Sequence, residues 1–399
     1  MKGERRRQFV WSFLRLLVKP FVRIMFNFKA KVYKLEKNKP YVILSNHVAQ
    51  IDPIYLGLSF RRRISYIAYA GVCYGKYKKI LNWCFAPIPK TKGKSDLMTI
   101  RESVKVIKNN GIVGMFPSGD CTFSGVESYI DQSIIKFVRM MKSEIILYRL
   151  DGVYGKSPRW AHKRTKGKMI GEVKKIITVE EMNAMTDQEL YDAVVSVIGG
   201  NNLDYIGDNL YKGKYCAEYL ERTLYVCPDC QEIGSMISHK NSFGCAKCGY
   251  KAIYKSDLKF ELVKGKKYFE TVNDWYNYCI ETLKEKNDDK LFDIEGYIFS
   301  DQFEYLKIDE LIKDDNGYNV KQEVKFENGF VKLFKDCFVI TSCDGKDSII
   351  LPTDKTKVIF HGKKDLVVYN EELTYTIHGF DRFCGMKYLH LVNEVLNKN

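Results

Sequence analysis

The sequence predicts an α/β domain preceded by amphipathic helices and followed by a four-cysteine ribbon and a small β-rich domain. Three observations carry this. Strand-sized apolar runs alternate with helix-spaced ones from residue 33 to 200. Two C-x-x-C pairs stand fourteen residues apart between 205 and 258, and short apolar pieces separated by turn signals fill 290–399. Ahead of all three, residues 1–32 are rich in basic and aromatic side chains.

That N-terminal segment sets the charge character of the chain. The net charge is +15, and the first fifty residues hold twelve Lys and Arg against two Glu, which points to an anionic partner. Arg15, Lys19 and Arg23 recur every fourth position, while Trp11, Phe13, Leu14, Leu17, Val18, Phe21, Val22 and Phe26 cover most of the remaining arc. Pro20 is expected to divide the segment into two helices. With Arg5, Arg6 and Arg7 in front, the pattern is that of an interfacial helix pair on an anionic membrane surface. No cleavable leader is visible, nor a run of about eighteen uncharged apolar residues. Twelve cysteines, eight of them scattered, fit a reducing compartment. The expectation is a peripheral or monotopic protein on the cytoplasmic face of a membrane.

The α/β domain opens with Tyr41 to Leu44, an uninterrupted apolar run that reads as a buried strand. It delivers Ser45-Asn46-His47, and Asp52-Pro53 follow. A histidine at the end of a strand with a carboxylate just beyond it can act as a general base and its orienter. Asp52-Pro53 also reads as a helix start, with Asp as N-cap and Pro at the first turn, and one Asp can serve both ends. Ile64 to Ala68 is expected to be a strand and Leu81 to Pro89 a strand or loop. The basic loop Lys90-Thr91-Lys92-Gly93-Lys94 comes next, then a helix from Leu97 to Ile107 ending at Asn110-Gly111. Ile112 to Phe116 reads as a strand broken at Pro117-Ser118-Gly119-Asp120, Ile130 to Met141 as a helix, and Glu144 to Leu150 as a strand. Thr178 with Glu181 and Thr186 with Glu189 have capping-box spacing, and Gly199-Gly200-Asn201-Asn202 marks the expected boundary. His47, the basic loop and the Pro117–Asp120 turn each follow a strand, so one sheet edge gathers them.

Asn46-His47 with Asp52 resembles the N-H-x4-D motif of the glycerolipid acyltransferases, of which the 1-acylglycerol-3-phosphate acyltransferases are the best-known members. Phe116-Pro117-Ser118-Gly119 is similar to that family's F-P-E-G block, Lys90 falls where the family carries a basic residue, and Ile146 to Gly152 takes the place of its apolar fourth block. The resemblance implies an O-acyl transfer from acyl-CoA or acyl-carrier protein to a lysolipid hydroxyl. His47 would be the base and Asp52 its orienter. Asn46, Lys90, Lys92, Phe116, Pro117, Ser118, Gly119 and Asp120 would line the acceptor site. Two departures stand out: the family glutamate is Ser118, and the Thr-Arg after its glycine are Asp120-Cys121. Asp120 is the candidate replacement for the missing carboxylate, and the departures favour a rival reading, a non-catalytic membrane adaptor that binds a protein through the C-terminal half.

Cys227, Cys230, Cys245 and Cys248 supply four thiolates for a closed tetrahedral zinc site, and the region resembles a zinc ribbon whose metal is structural. His239 between the knuckles is expected to stay outside the shell. The excess positive charge lies at the N-terminus and not around the knuckles, which argues against nucleic acid as partner. Asn287 to Lys290 reads as a linker. Strands are expected at 324–326, 330–334, 337–342, 348–351, 357–360, 366–369 and 373–377, with a final helix carrying Met386, Leu389, Val392, Val395 and Leu396. Many short strands and one closing helix resemble a pleckstrin-homology fold. His361, His378 and His390 are isolated and expected to be structural.

Overall fold

The computed structural model describes residues 2–70, 73, 78–90, 97–286, 298–314, 317–370 and 373–396. The chain forms two compact units, residues 1–159 with 165–212, and residues 160–164 with 213–399. The Gly199–Asn202 segment therefore lies inside the first unit and not at its border.

The first unit is built on a seven-stranded sheet. In chain order its elements are α1 (Lys2–Phe26), β1 (Phe28–Ala30), β2 (Tyr41–Ser45), α2 (Asp52–Leu58), β3 (Ser65–Tyr69), α3 (Lys78–Cys84) and β4 (Ile88–Lys90). They continue with α4 (Leu97–Lys108), β5 (Ile112–Met115), α5 (Ser133–Met141), β6 (Glu144–Asp151), α6 (Val153–Lys156), β7 (Met169–Ile177), α7 (Val179–Ala184) and α8 (Asp187–Ile198). The strand order is β1-β7-β6-β2-β5-β3-β4. Strands β2 to β6 are mutually parallel, while β7 runs antiparallel to β6 and β1 parallel to β7. β2 lies at the centre with Val42, Ile43 and Leu44 fully buried. Each such side chain contributes about 1.5–3 kcal/mol by leaving water. Val113, Val138, Ile145, Leu147 and Val194 pack with Val42 and Leu44 in one core.

Register fixes what emerges from the sheet's C-terminal edge. Leu44 is level with Met115 and Leu147, and Ser45 with Tyr148. Asn46-His47, Phe116 to Ser118 and Arg149-Leu150 therefore leave side by side.

Several expectations are corrected here. Pro20 does not split the N-terminal segment: α1 is one helix of 25 residues with Pro20 inside it. A proline removes one ladder hydrogen bond, and buried side chains on both sides of it, Trp11 before and Val22 and Phe26 after, anchor both halves. Trp11 lies on Gly57 of α2, where any Cβ would stand only 2.9 Å from the indole. Residues 81–84 are helical, in α3, with the strand confined to β4. α4 ends ahead of Asn110-Gly111 as expected, with Asn110 in the left-handed region at φ 55°. α5 begins at Ser133 and not at Ile130. Both capping boxes form, Thr178 with Glu181 and Thr186 with Glu189.

In the second unit β8 (Met236–His239), β9 (Ser242–Cys245), β10 (Lys251–Tyr254) and β11 (Phe260–Lys264) make an antiparallel sheet. Helix α9 (Val272–Glu285) follows, opened by a Thr271–Asp274 capping box. Its Trp275 is fully buried against Phe243, Tyr250, Phe260 and Phe269, and the indole N–H donates to the Val226 carbonyl at 2.9 Å.

A second seven-stranded sheet has the order β15-β14-β13-β12-β18-β17-β16, all antiparallel, with β12 (Phe299–Asp314), β13 (Gly317–Leu333), β14 (Cys337–Ser342), β15 (Ser348–Pro352), β16 (Thr356–His361), β17 (Asp365–Asn370) and β18 (Leu373–Gly379). The chain then forms α10 (Gly385–His390) and a π-helical turn, Leu391–Leu396. The expected linker at 287–290 lies outside the described residues.

Candidate active site

The central strand places the site. Asn46 continues β2 with its side chain: its Nδ2 donates to the Leu150 carbonyl at 2.9 Å, and its Oδ1 accepts the Leu150 N–H at 2.8 Å. This pair extends the β2–β6 ladder by one step beyond Ser45–Tyr148. The same Nδ2 also donates to Asn202 Oδ1 at 3.1 Å, and Asn202 in turn donates to the Gly125 carbonyl. Asn46 is thus 1 % exposed with its amide engaged by protein partners, next to the histidine.

His47 Nδ1 lies 3.0 Å from Asp52 Oδ2. That oxygen also accepts the Val48 N–H at 2.6 Å and the Ala49 N–H at 2.8 Å. Asp52 is the first residue of α2 and makes no cap bond forward into the helix; the N-cap position is Ile51. The carboxylate instead reaches back over the 47–51 turn, which corrects the capping expectation. Its side chain is fully buried while that of His47 is 17 % exposed, so the ring is the open member of the pair. Burial works against a charged ring, but Cys121 and Asp52 outweigh it and hold the His47 imidazolium above its ordinary range.

Phe116 stacks on the His47 ring with centroids 4.4 Å apart, and Tyr66 stacks in turn on Phe116. Cys121 Sγ is 3.6 Å from Nδ1 and 3.5 Å from Nε2. A sulfur equidistant from both nitrogens lies well off the Nε2 lone-pair axis. Cys121 is therefore off the line along which Nε2 would exchange a proton.

The carboxylate beside the Pro117–Asp120 turn comes from a residue sequence reasoning missed. Glu127 Oε1 accepts the Ser118 hydroxyl at 2.6 Å and the His47 N–H at 2.8 Å. Asp120, the expected replacement, is committed elsewhere: its Oδ1 accepts the Cys121 N–H at 2.9 Å and lies 3.2 Å from Arg159 Nη1. Burial pushes the Glu127 carboxyl up to about 7, against the Ser118 hydroxyl, the His47 N–H and the His47 charge, which all lower it. Pro117 is half-buried, and Gly119 is exposed with φ 72°.

Lys90 is exposed at the end of β4. It is level with Tyr69 of β3, three strands from β2 or about 14 Å at the usual strand spacing. Its charge is felt by Asp131. Lys92 lies outside the described residues.

The four cysteines of the ribbon come together. Their sulfurs all lie within 4.8 Å of one another, with Cys227–Cys248 at 3.5 Å and Cys230–Cys245 at 3.7 Å. Tetrahedral ligands at a zinc–sulfur distance of about 2.3 Å would stand about 3.8 Å apart, so the four fit one ion. His239 ends β8 with its side chain exposed. His390 is buried between the Tyr225 and Tyr276 hydroxyls, each 2.8 Å away, and burial lowers it to about 3. His378 pairs with Asp365.

A partly exposed histidine paired with a buried carboxylate at the edge of a mostly parallel sheet is an arrangement chemically able to move one proton. Residues 27–148 match the family model described as Acyltransferase. The matched stretch holds both His47 and Asp52. A search of curated proteins gives no match. Among solved structures the chain is similar to the crystal structure of the 1-acyl-sn-glycerophosphate (LPA) acyltransferase PlsC from Thermotoga maritima, at 16 % identity and a TM-score of 0.38, over 48 % of this chain and 78 % of that one.

Proposed function

We propose that the protein is a membrane-surface O-acyltransferase that passes an acyl group from acyl-CoA or acyl-carrier protein to a lysolipid hydroxyl, with 1-acylglycerol-3-phosphate as the leading acceptor. The observation that carries the reading is the His47–Asp52 pair, its ring partly exposed, inside the family-matched stretch. His47 Nε2 takes the proton of the acceptor hydroxyl as its oxygen attacks the thioester carbonyl. The carbon–sulfur bond then breaks, and the departing thiolate takes the proton back from the ring. Asp52 holds the tautomer and stabilises the transient imidazolium. Lys90 and Lys92 would meet the acceptor phosphate, and Phe116, Pro117 and Gly119 would form the wall beside it.

Helix α1 supports action at a lipid surface. Phe9, Phe13, Leu16, Leu17, Phe21, Ile24 and Met25 are all more than half exposed. Beneath the helix a cleft of about 460 Å³ is lined by Lys19, Arg23, Lys29, Lys31 and Lys168 with Glu172 as its acid. Apolar side chains beside a cationic cleft suit an anionic leaflet. Among the described residues no helix is long and apolar enough to cross a membrane, which is compatible with a peripheral or monotopic attachment on the cytoplasmic face. The ribbon cysteines would hold a structural zinc, and the order and closing helix of the second seven-stranded sheet support the pleckstrin-homology likeness. The adaptor reading rests on the missing family glutamate, and the Glu127 carboxylate beside Ser118 weakens that motive.

The test is incubation of the full chain with labelled acyl-CoA and a panel of lysolipids, with the product identified by mass spectrometry. Transfer by the parent and none by His47→Ala is expected. Equal transfer by both would overturn the reading.

A further inference from the structure

We propose that Glu127 is a positioning residue that returns to the site, from nine residues downstream, the carboxylate that the Phe116–Gly119 block has lost to Ser118. The inference rests on the acyl-transfer reading for its rate consequences, but the geometry that carries it is independent of substrate.

Three facts converge. Ser118 stands where the resembled block has glutamate, and its hydroxyl donates to Glu127 Oε1 at 2.6 Å. A glutamate at 118 is two heavy atoms longer than serine past the β-carbon, so its carboxylate would enter the space the Glu127 carboxylate now fills. The same Oε1 accepts the main-chain N–H of His47 at 2.8 Å. A single oxygen thus ties the strand end that delivers the base to the turn after β5. The segment bearing Glu127 is itself held at both ends: the Thr122 N–H donates to the His47 carbonyl at 3.2 Å, and the Glu127 N–H donates to the Gly200 carbonyl at 2.9 Å. The His47 peptide unit is therefore clasped on its N–H and its C=O by one stretch of chain.

Glu127 is 9 % exposed, and its Oε2 is buried without a hydrogen-bond partner. A group whose one bonded oxygen serves two neighbours acts as a brace, and its effect on rate runs through the placement of His47. An error of about 1 Å in such placement can cost about 100-fold. The elevated Glu127 pKa is in keeping with this, because bracing needs an acceptor oxygen and not a full charge.

The substitutions that test this move the carboxylate back. Activity of the full chain is measured with palmitoyl-CoA and 1-acylglycerol-3-phosphate as probes, together with hydrogen exchange at the His47 amide. Glu127→Ala is expected to lower kcat by about 100-fold with KM changed by less than about threefold, because the carboxylate braces the base and does not meet the acceptor. The His47 amide in that variant exchanges at least about tenfold faster, having lost its acceptor. Glu127→Gln keeps the acceptor oxygen and stays within about tenfold of the parent. Ser118→Glu alone forces two carboxylates into one buried space and loses activity, whereas Ser118→Glu with Glu127→Ala restores both kcat and amide protection. A double variant as slow and as unprotected as Glu127→Ala would overturn the proposal, as would an unchanged His47 amide in Glu127→Ala. A parent that transfers no acyl group counts against the acyl-transfer reading alone, and amide exchange then decides this one.

Discussion

Asp52 Oδ2 accepts the Val48 N–H at 2.6 Å while holding His47 Nδ1 at 3.0 Å, so one carboxylate oxygen both builds the turn and aims the base. The two duties separate on substitution. Asp52→Asn keeps an oxygen for the Val48 and Ala49 amides but removes the charge that stabilises an imidazolium. It is expected to fold with little change in Tm and to lose about 10³-fold or more in kcat. Asp52→Ala leaves both amides unpaired and should cost about 2–3 kcal/mol in urea unfolding as well. An Asn variant as active as the parent would dissociate Asp52 from proton transfer.

The pH response follows from the raised His47 pKa. The base must be neutral to accept a proton, so kcat/KM is expected to climb with rising pH and to level only above an apparent pKa higher than the ordinary 6.5 of histidine. Stability runs the opposite way. The folded state binds this proton more tightly than the unfolded one, so the contribution is fully present below the unfolded value near 6.5. It is lost as pH rises through the folded value. A ring titration followed by NMR, matched to the kinetic limb, checks both signs.

How much of this was legible in the sequence differs by element, for physical reasons. β2 was readable because a strand buried on both faces is uninterrupted hydrocarbon, and the His47–Asp52 pair follows within the next seven residues. β12 was not. Its alternation is interrupted by irregularities between Phe303 and Tyr305 and between Leu306 and Lys307, and polar residues interleave the buried Phe299, Phe303 and Leu306. α3 is not legible because Leu81 to Cys84 is too short a stretch to show a helical period. Glu127 was invisible for a different reason: it reaches Ser118 through a turn, and no spacing rule links a residue to one nine places away in irregular chain. The one available signal was the loss of a carboxylate at 118, which invites a search for another nearby. Asp120 is the carboxylate the sequence offers for that place, but Arg159 draws it off.

Metal removal should separate the two units. The Cys227, Cys230, Cys245 and Cys248 sulfurs lie close enough to share one ion, and they tie the 227–230 turn to the β9 end of a small sheet that otherwise packs on Trp275. One zinc per chain is expected by elemental analysis of the purified protein. Cys227→Ser or a strong chelator should release it and open the ribbon to proteolysis. The sheet that carries His47 has its own core and should keep its thermal transition. Full-length protein without metal that resists proteolysis as the parent does would show that the cysteine cluster does not need an ion.

Helix α1 makes the sharpest contrast between two kinds of apolar residue. Phe13, Leu16 and Ile24 are 56 %, 73 % and 79 % exposed, whereas Trp11 is 8 % exposed, with its ring centroid 6.1 Å from that of Phe85. Replacing the first three by glutamate removes nothing from the protein core, so the unfolding midpoint should hold. It does remove the side chains that would enter lipid, each of which contributes about 1.5–3 kcal/mol on full burial. Sedimentation with phosphatidylglycerol vesicles should therefore fall by more than about tenfold in the triple variant, and raised salt should weaken the parent further by screening the basic residues. Trp11→Ala should do the reverse, costing about 3–5 kcal/mol of stability before it touches vesicle binding. Undiminished vesicle binding by the triple variant would mean that this face of α1 meets something other than lipid.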